Sequence, residues 1–188
     1  LFPCFDQPDI KARYSLELII PETWKAVANG KIARVDSLSH PGRHVVTFQE
    51  TEPLPTYLFS FVAGKLQQET YSRENRSISI YHRETDPARK GQCPEIARQV
   101  LDALDWMEAY TGVPYPLAKY DLVILPGFQY GGMEHTGATL YNDQSMFLNE
   151  EPTLDEQLRR STLIAHETAH MWFGDYVTMK WFNDVWTK

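Results

Sequence analysis

The sequence predicts an α+β chain: a β-rich first third followed by a mixed part that carries its helices. Three observations lead there. Short runs with β-branched residues, separated by Pro and Gly, crowd residues 14–62. Ile96, Val100, Leu104 and Met107 then recur at helical spacing between Pro94 and Gly112. Finally, Thr153 and Glu156 have the spacing of a capping box ahead of Leu154, Leu158 and Ile164.

Taken in order, Tyr14 to Ile20 is an alternating strand stopped by Pro21. Trp24–Ala28 and Lys31–Asp36 flank Asn29-Gly30, a dipeptide that predicts a two-residue hairpin turn. Arg43–Gln49 and Thr56–Val62 supply two more strands, with Pro41-Gly42 and Pro53/Pro55 between them. Strands at this spacing suggest a sheet or sandwich. Ser77–His82 is a further strand. Pro94 suits the first turn of a helix that Gly112 stops. Tyr120–Leu125 is a short apolar strand followed by a Gly-rich loop, Pro126–Gly132. The last helix starts at Thr153, is closed by Gly174 and carries His166 and His170. The change in character places a boundary near Gly64, giving units 1–64 and 65–188.

With 43% hydrophobic and 23% charged residues, the 188-residue chain has globular composition. A net charge of -7 excludes a duplex nucleic-acid surface, which needs a basic stripe. Cys4 and Cys93 lack CxxC partners, so neither a disulfide framework nor a thiolate zinc knuckle is expected. No apolar run approaches the roughly 20 residues of a membrane span. The opening residues show no leader pattern and no initiator Met, so they do not identify a compartment.

The richest motif is His166-Glu167-Thr168-Ala169-His170, an H-E-x-x-H run. Positions four apart on a helix share a face, so both imidazoles can address one ion. Glu167 lies about 100° round the axis, within reach of water beside that ion. Two neutral imidazoles and an oxygen ligand suit Zn2+, with one position left open for chemistry. The plain rival is two helix-face histidines and a surface glutamate; the pattern arises by accident in on the order of one chain in two hundred of this length.

Gly131-Gly132-Met133-Glu134, His166-Glu167-x-x-His170, Trp172-Phe173-Gly174 and Val177-Thr178-Met179-Lys180-Trp181 together resemble the aminopeptidase N family of zinc metallopeptidases (gluzincin aminopeptidases). That family's pattern is G-x-M-E-N, about thirty residues to H-E-x-x-H, then about eighteen to a glutamate. Phe2-Pro3-Cys4-Phe5-Asp6-x-Pro8 and Thr56–Gly64 are also similar to parts of its N-terminal β domain. The resemblance implies the end of a β-sandwich or saddle domain in 1–64. In 65–188 it implies the first part of a thermolysin-like catalytic domain. It implies His166 and His170 as zinc ligands and Glu167 as general base toward water and proton donor to the leaving amine. Glu134 would bind the substrate's free α-ammonium, with Gly131, Gly132 and Met133 lying along the peptide. The substrates implied are peptides with a free N-terminus. Gln7 is at most an indirect participant.

Two departures stand out. His135 replaces the family's Asn, and the third zinc ligand is expected just after Lys188. The 188 residues alone are therefore expected to bind zinc weakly and to turn over little. A thermolysin-type endopeptidase shares the zinc motif, but Glu134 as an ammonium site argues against it. A non-catalytic peptide-binding relative is the other alternative, against which stand the intact His166, Glu167 and His170. Epoxide hydrolysis, found in some relatives with Gly-Gly-Met-Glu, is not favoured by any residue here. Trp172 is expected in the core; Trp181, Phe182 and Trp186 are expected to pack helices together; His40, His44, His82 and His135 lack ligand spacing.

Overall fold

The computed structural model of the chain describes residues 2–188, apart from the side chains of residues 38–40. The side chain of His40 lies outside the described residues. β1 (Glu17–Pro21), β4 (Arg43–Phe48) and β3 (Ile32–His40) form an antiparallel sheet in the order β1-β4-β3. β2 (Lys25–Ala28) pairs antiparallel with β5 (Phe61–Gly64). The third sheet contains β6 (Gln67–Arg73), β7 (Arg76–His82), β8 (Tyr120–Leu125), β9 (Gly132–Met133) and β10 (Ala138–Asn142). Its order is β6-β7-β8-β10-β9, parallel at β7/β8 and β8/β10 and antiparallel at both edges. The helices are α1 (Pro87–Lys90), α2 (Cys93–Thr111), α3 (Asp143–Met146) and α4 (Leu154–Ala169).

β2 is buried on both faces. Ala26 and Ala28 pack with Ile20, Val46 and Phe48 of the first sheet, while Val27 packs with Leu66, just before β6, and with Tyr81 and Val123 of the third. The β2–β5 pair is therefore a layer between the two larger sheets. This overturns the hairpin expected at Asn29-Gly30: β2 bonds β5 and β3 bonds β4. Tertiary burial overrides the local turn preference. Gly30 is needed for a different reason, since a Cβ there would overlap the Gln49 carbonyl oxygen.

The main core forms where α2 and α4 cover the five-stranded sheet. Ile78, Ile80, Leu122 and Ile124 meet Ile96, Val100 and Leu104 of α2 and Ile164 of α4, all 1% exposed or less. The predicted α2 is present, with Pro94 in its first turn and Gly112 left-handed after its end. The predicted capping box is also present: Thr153 Oγ1 accepts from the Glu156 N–H, and the Glu156 carboxylate accepts from the Thr153 N–H.

Other expectations need correction. Thr56–Leu58 is a 3₁₀ turn, and strand begins only at Phe61. β6 is too polar to betray itself by apolar alternation. α4 ends at Ala169, with His170 as its C-cap, so Gly174 does not cap it. Leu154 and Leu158 are 70% and 55% exposed and do not face the core. Trp181 and Trp186 are also exposed, and Phe182 meets Tyr57 edge-on at 6.0 Å between centroids rather than joining helices. Trp172 is core as expected, its Nε1–H donating to the Val113 carbonyl at 3.0 Å.

Leu104→Ala should cost about 2–5 kcal/mol in urea unfolding. Leu158→Ala, on the same type of element but facing outward, should stay within about 0.5 kcal/mol. Equal losses would contradict this orientation of the helices.

Candidate active site

The inner face of α4 presents Arg160, Ile164, Glu167 and Thr168 to the molecule. Arg160 Nη1 donates to Gln92 Oε1 (2.8 Å) and the Met146 carbonyl (3.3 Å), tying the helix to the start of α2. Nearer the C-terminal end, the Tyr120 and Thr168 hydroxyls share a buried 3.0 Å hydrogen bond. These contacts fix the rotation of α4, and with it the directions of His166, Glu167 and His170.

His166 and His170 bring their Nε2 atoms to 3.0 Å, with ring planes 78° apart. Two nitrogens bound tetrahedrally to one zinc at about 2.0–2.1 Å stand roughly 3.3 Å apart, so the pair needs little adjustment. His170 Nδ1–H donates to the Phe173 carbonyl at 3.0 Å, which leaves the Nε2 lone pair facing the site. Burial lowers the His170 pKa, against the opposing influence of Glu134 and this carbonyl.

Glu167 is 3% exposed, and its Oε2 has no hydrogen-bond partner among the described residues. Burial, reinforced by the charge of Glu134, pushes its carboxyl up to about 8. Glu167 packs against Gly132, where a Cβ would overlap its carboxyl group. The glycine predicted to lie along a substrate thus has a documented neighbour in Glu167. Gly131 is exposed beside Leu163, and Met133 is half-buried in β9, the edge strand next to β10.

Glu134 follows β9 and is 4% exposed. The nearest ligand atoms of Glu134, Glu167 and His170 lie within 4.8 Å of one another, so the predicted Glu134 and zinc motif converge. The Lys188 ammonium is paired with Glu134 Oε1, lies 4.6 Å from the centroid of the Tyr57 ring and is 3.5 Å from its hydroxyl. Burial raises the Glu134 pKa, but the Lys188 hydrogen bond and the field of His170 outweigh it and hold the group below its ordinary value. Two imidazole nitrogens, a buried unpaired carboxylate oxygen and a second carboxylate form a donor set that suits zinc.

Three neighbours escaped the sequence reading. Tyr57 donates to the Gly174 carbonyl at 3.4 Å, and its pKa is raised by burial and by Asp175 and Glu134. Asp175 is 5% exposed with both carboxylate oxygens unpartnered among the described residues, and burial raises it well above its ordinary value. His135, read as ordinary, donates from Nδ1 to the Leu58 carbonyl at 3.1 Å. Tyr57 and Asp175 belong to no ligand-spacing motif and reach the site through distant backbone, whereas His135 directly follows Glu134 at the position where the family's pattern has Asn.

A second cluster, Glu69, His82 and Cys93, also lies within 4.8 Å. There His82 Nδ1 accepts from the Glu84 N–H at 3.2 Å, so its proton sits on Nε2, 3.5 Å from Glu69, and no lone pair remains for an ion. Burial pushes the Cys93 thiol up to about 12. A cavity of about 660 Å³ beside Arg73, Arg76 and Lys119 is elsewhere, and its two guanidiniums are paired with Asp105 and Glu108.

The fold and these converging side chains define a class: an α+β chain in which two histidines and buried carboxylates gather at the end of a helix. Residues 1–58 match the Peptidase M1 N-terminal domain, and residues 97–188 match the Peptidase family M1 domain. Glutamyl aminopeptidase of Sus scrofa is 33% identical over 98% of this chain and 19% of its own length. Puromycin-sensitive aminopeptidase of Caenorhabditis elegans is 33% identical over 100% of the chain and 20% of its own. Tricorn protease-interacting factor F2 of Thermoplasma volcanium is 33% identical over 98% and 23%. The chain belongs to the M1 peptidase family. It spans about a fifth of the length of the curated relatives it matches.

The raised Glu167 pKa has a consequence for stability. The folded state retains a proton that the unfolded state loses, so stability falls as pH rises from the ordinary glutamate range to about 8. Metal-free protein should therefore show a lower urea midpoint at pH 8 than at pH 5, and Glu167→Gln should remove that part of the difference.

Proposed function

We propose that these residues carry the amine-binding group and part of the zinc site of an aminopeptidase that releases single residues from peptide N-termini. The observation that carries the reading is the pairing of Glu134 with an ammonium group beside His166, Glu167 and His170. The Lys188 side chain stands there in the way a substrate α-ammonium would. A buried carboxylate that receives a cation at a fixed distance from the metal ligands favours peptides whose scissile bond is one residue from a charged N-terminus.

His166 and His170 would hold a zinc ion, with the His170 ring oriented by the Phe173 carbonyl. The family resemblance puts a third ligand, a glutamate, at the position after Lys188. Zinc supplies Lewis acidity toward the scissile carbonyl and makes water more acidic. Glu167 accepts the proton of the attacking water on its carboxylate and passes it to the leaving amine. Its raised pKa suits both steps, because the group can exchange a proton near neutral pH. Glu134 orients the substrate, and the free edge of β9 can lie along the extended chain with Gly131, Gly132 and Met133 beside it.

On the same reading, residues 1–64 end an N-terminal β domain and 65–188 begin a thermolysin-like domain. β5 ends at Gly64 after pairing back with β2, and β6 opens another sheet at Gln67, which supports a boundary there.

The test uses the full-length, zinc-loaded protein with an aminoacyl substrate and its N-acetylated twin. Cleavage of the free amine alone is expected, and equal cleavage would mean an endopeptidase. Zinc binding without cleavage would mean a peptide-binding protein. Glu134→Ala should raise KM with a smaller effect on kcat. Glu167→Gln should lower kcat by about 100- to 10,000-fold with zinc retained. Unchanged kinetics in either variant would contradict its role.

A further inference from the structure

The Asn29-Gly30 dipeptide does not turn a hairpin, and Asn29 is 8% exposed with a fully engaged carboxamide. Its Nδ2 donates to the Leu58 carbonyl (2.9 Å), the Thr136 carbonyl (2.9 Å) and Thr136 Oγ1 (3.1 Å). Its Oδ1 accepts from the Ser60 N–H at 2.9 Å. One side chain thus joins three stretches of chain: the end of β2, the 58–60 segment before β5, and the turn that follows Glu134. We infer that Asn29 is a positioning residue for Glu134, holding the amine-binding carboxylate in place through the 135–137 turn. The inference rests on the proposed aminopeptidase reading.

The geometry of that turn gives the reason. On its N-terminal side, Glu134 is fixed by the pairing of β9 with β10, Met133 opposite Leu140. On its C-terminal side the chain reverses, with the His135 N–H bonded to the Met133 carbonyl and the Ala138 N–H to the His135 carbonyl. The reversal needs Gly137 at φ +70°, and a Cβ there would come within 2.5 Å of the Asn29 carbonyl oxygen. The turn is therefore docked on both the backbone and the side chain of Asn29. The Gly137 carbonyl is also held by Lys119 Nζ and the Asp121 N–H, from the β8 side.

His135 adds to the same hub. Its Nδ1–H donates to the Leu58 carbonyl, which already receives Asn29 Nδ2, so both lone pairs of that oxygen are used. The residue that departs from the family's Asn thus anchors the turn to the same segment as Asn29. Leu58 is fully buried and Thr136 is 6% exposed, so broken hydrogen bonds here have little water to replace them. A buried carboxylate reached through one short turn should shift when that turn is released. A misplacement near 1 Å can cost on the order of 100-fold in a recognition step.

The test measures calorimetric affinity of the full-length, zinc-loaded protein for alanine hydroxamate and for propionohydroxamate, the same molecule without the amine. The ratio of the two affinities reports the amine site alone. Wild type should prefer the amine, and Glu134→Ala should abolish the preference. Asn29→Ala should cut the ratio by about 10- to 100-fold while leaving the affinity for propionohydroxamate within roughly threefold. Leu104→Ala, on the buried face of α2, serves as a destabilised control away from the site and should keep the wild-type ratio. His135→Ala removes one donor at Leu58 and should lower the ratio several-fold; it decides the matter if Asn29→Ala does not fold. A wild-type ratio in His135→Ala and in any folded Asn29→Ala would overturn the inference and leave the aminopeptidase reading standing. No amine preference in wild type would overturn that reading, and this inference with it.

Discussion

Three carboxyl groups, Glu134, Glu167 and Asp175, are buried together to 5% exposure or less, and the rest of the site follows from how their charge is balanced. Ionised carboxylates out of water and close to one another raise each other's pKa and favour a cation among them. The coupling is visible in each group: Glu134 raises both Glu167 and Asp175. The Lys188 ammonium pairs with Glu134 and, together with His170, lowers it. Such a site is built to receive positive charge, and on the proposed reading it receives two: a divalent ion at the histidines and an ammonium at Glu134.

The scaffold keeps these groups together by holding them from different directions. α4 is locked by Arg160 on one end and Thr168 on the other, and its last turn and C-cap carry His166, Glu167 and His170. Glu134 comes from the opposite side, at the exposed edge of the five-stranded sheet. The gap between the two is narrow enough that Gly132 must lack a side chain to clear Glu167. The first sixty residues take part as well, because Tyr57, Leu58 and Asn29 all touch the Glu134 end of the site.

How much of this could be read in the sequence depended on whether a feature was local. The capping box at Thr153 and the α2 pattern from Pro94 to Gly112 depend on neighbours within a few residues, and both are present. The convergence of Glu134 with His166, Glu167 and His170 was legible because known spacings carry it. Asn29-Gly30 misled because turn propensity is local, whereas burial of β2 between two sheets is not. Local rules fail most often at positions with another task, and Asn29 fits that pattern. Leu158, Trp181 and Trp186 have the apolar character of packing residues, yet character alone does not say which way a side chain faces. Tyr57 and Asp175 had no spacing to reveal them; only the tertiary fold brings them to Glu134.

On the proposed reading, a buried, protonated Glu167 stands beside the two zinc-binding histidines and becomes a base when the ion is bound. Calorimetric titration of zinc into the metal-free, full-length protein at pH 7, in two buffers of different ionisation enthalpy, measures the protons released. Release of close to one proton per zinc is expected, largely lost in Glu167→Gln. Zinc binding with no proton release, or with the same release in Glu167→Gln, would contradict it.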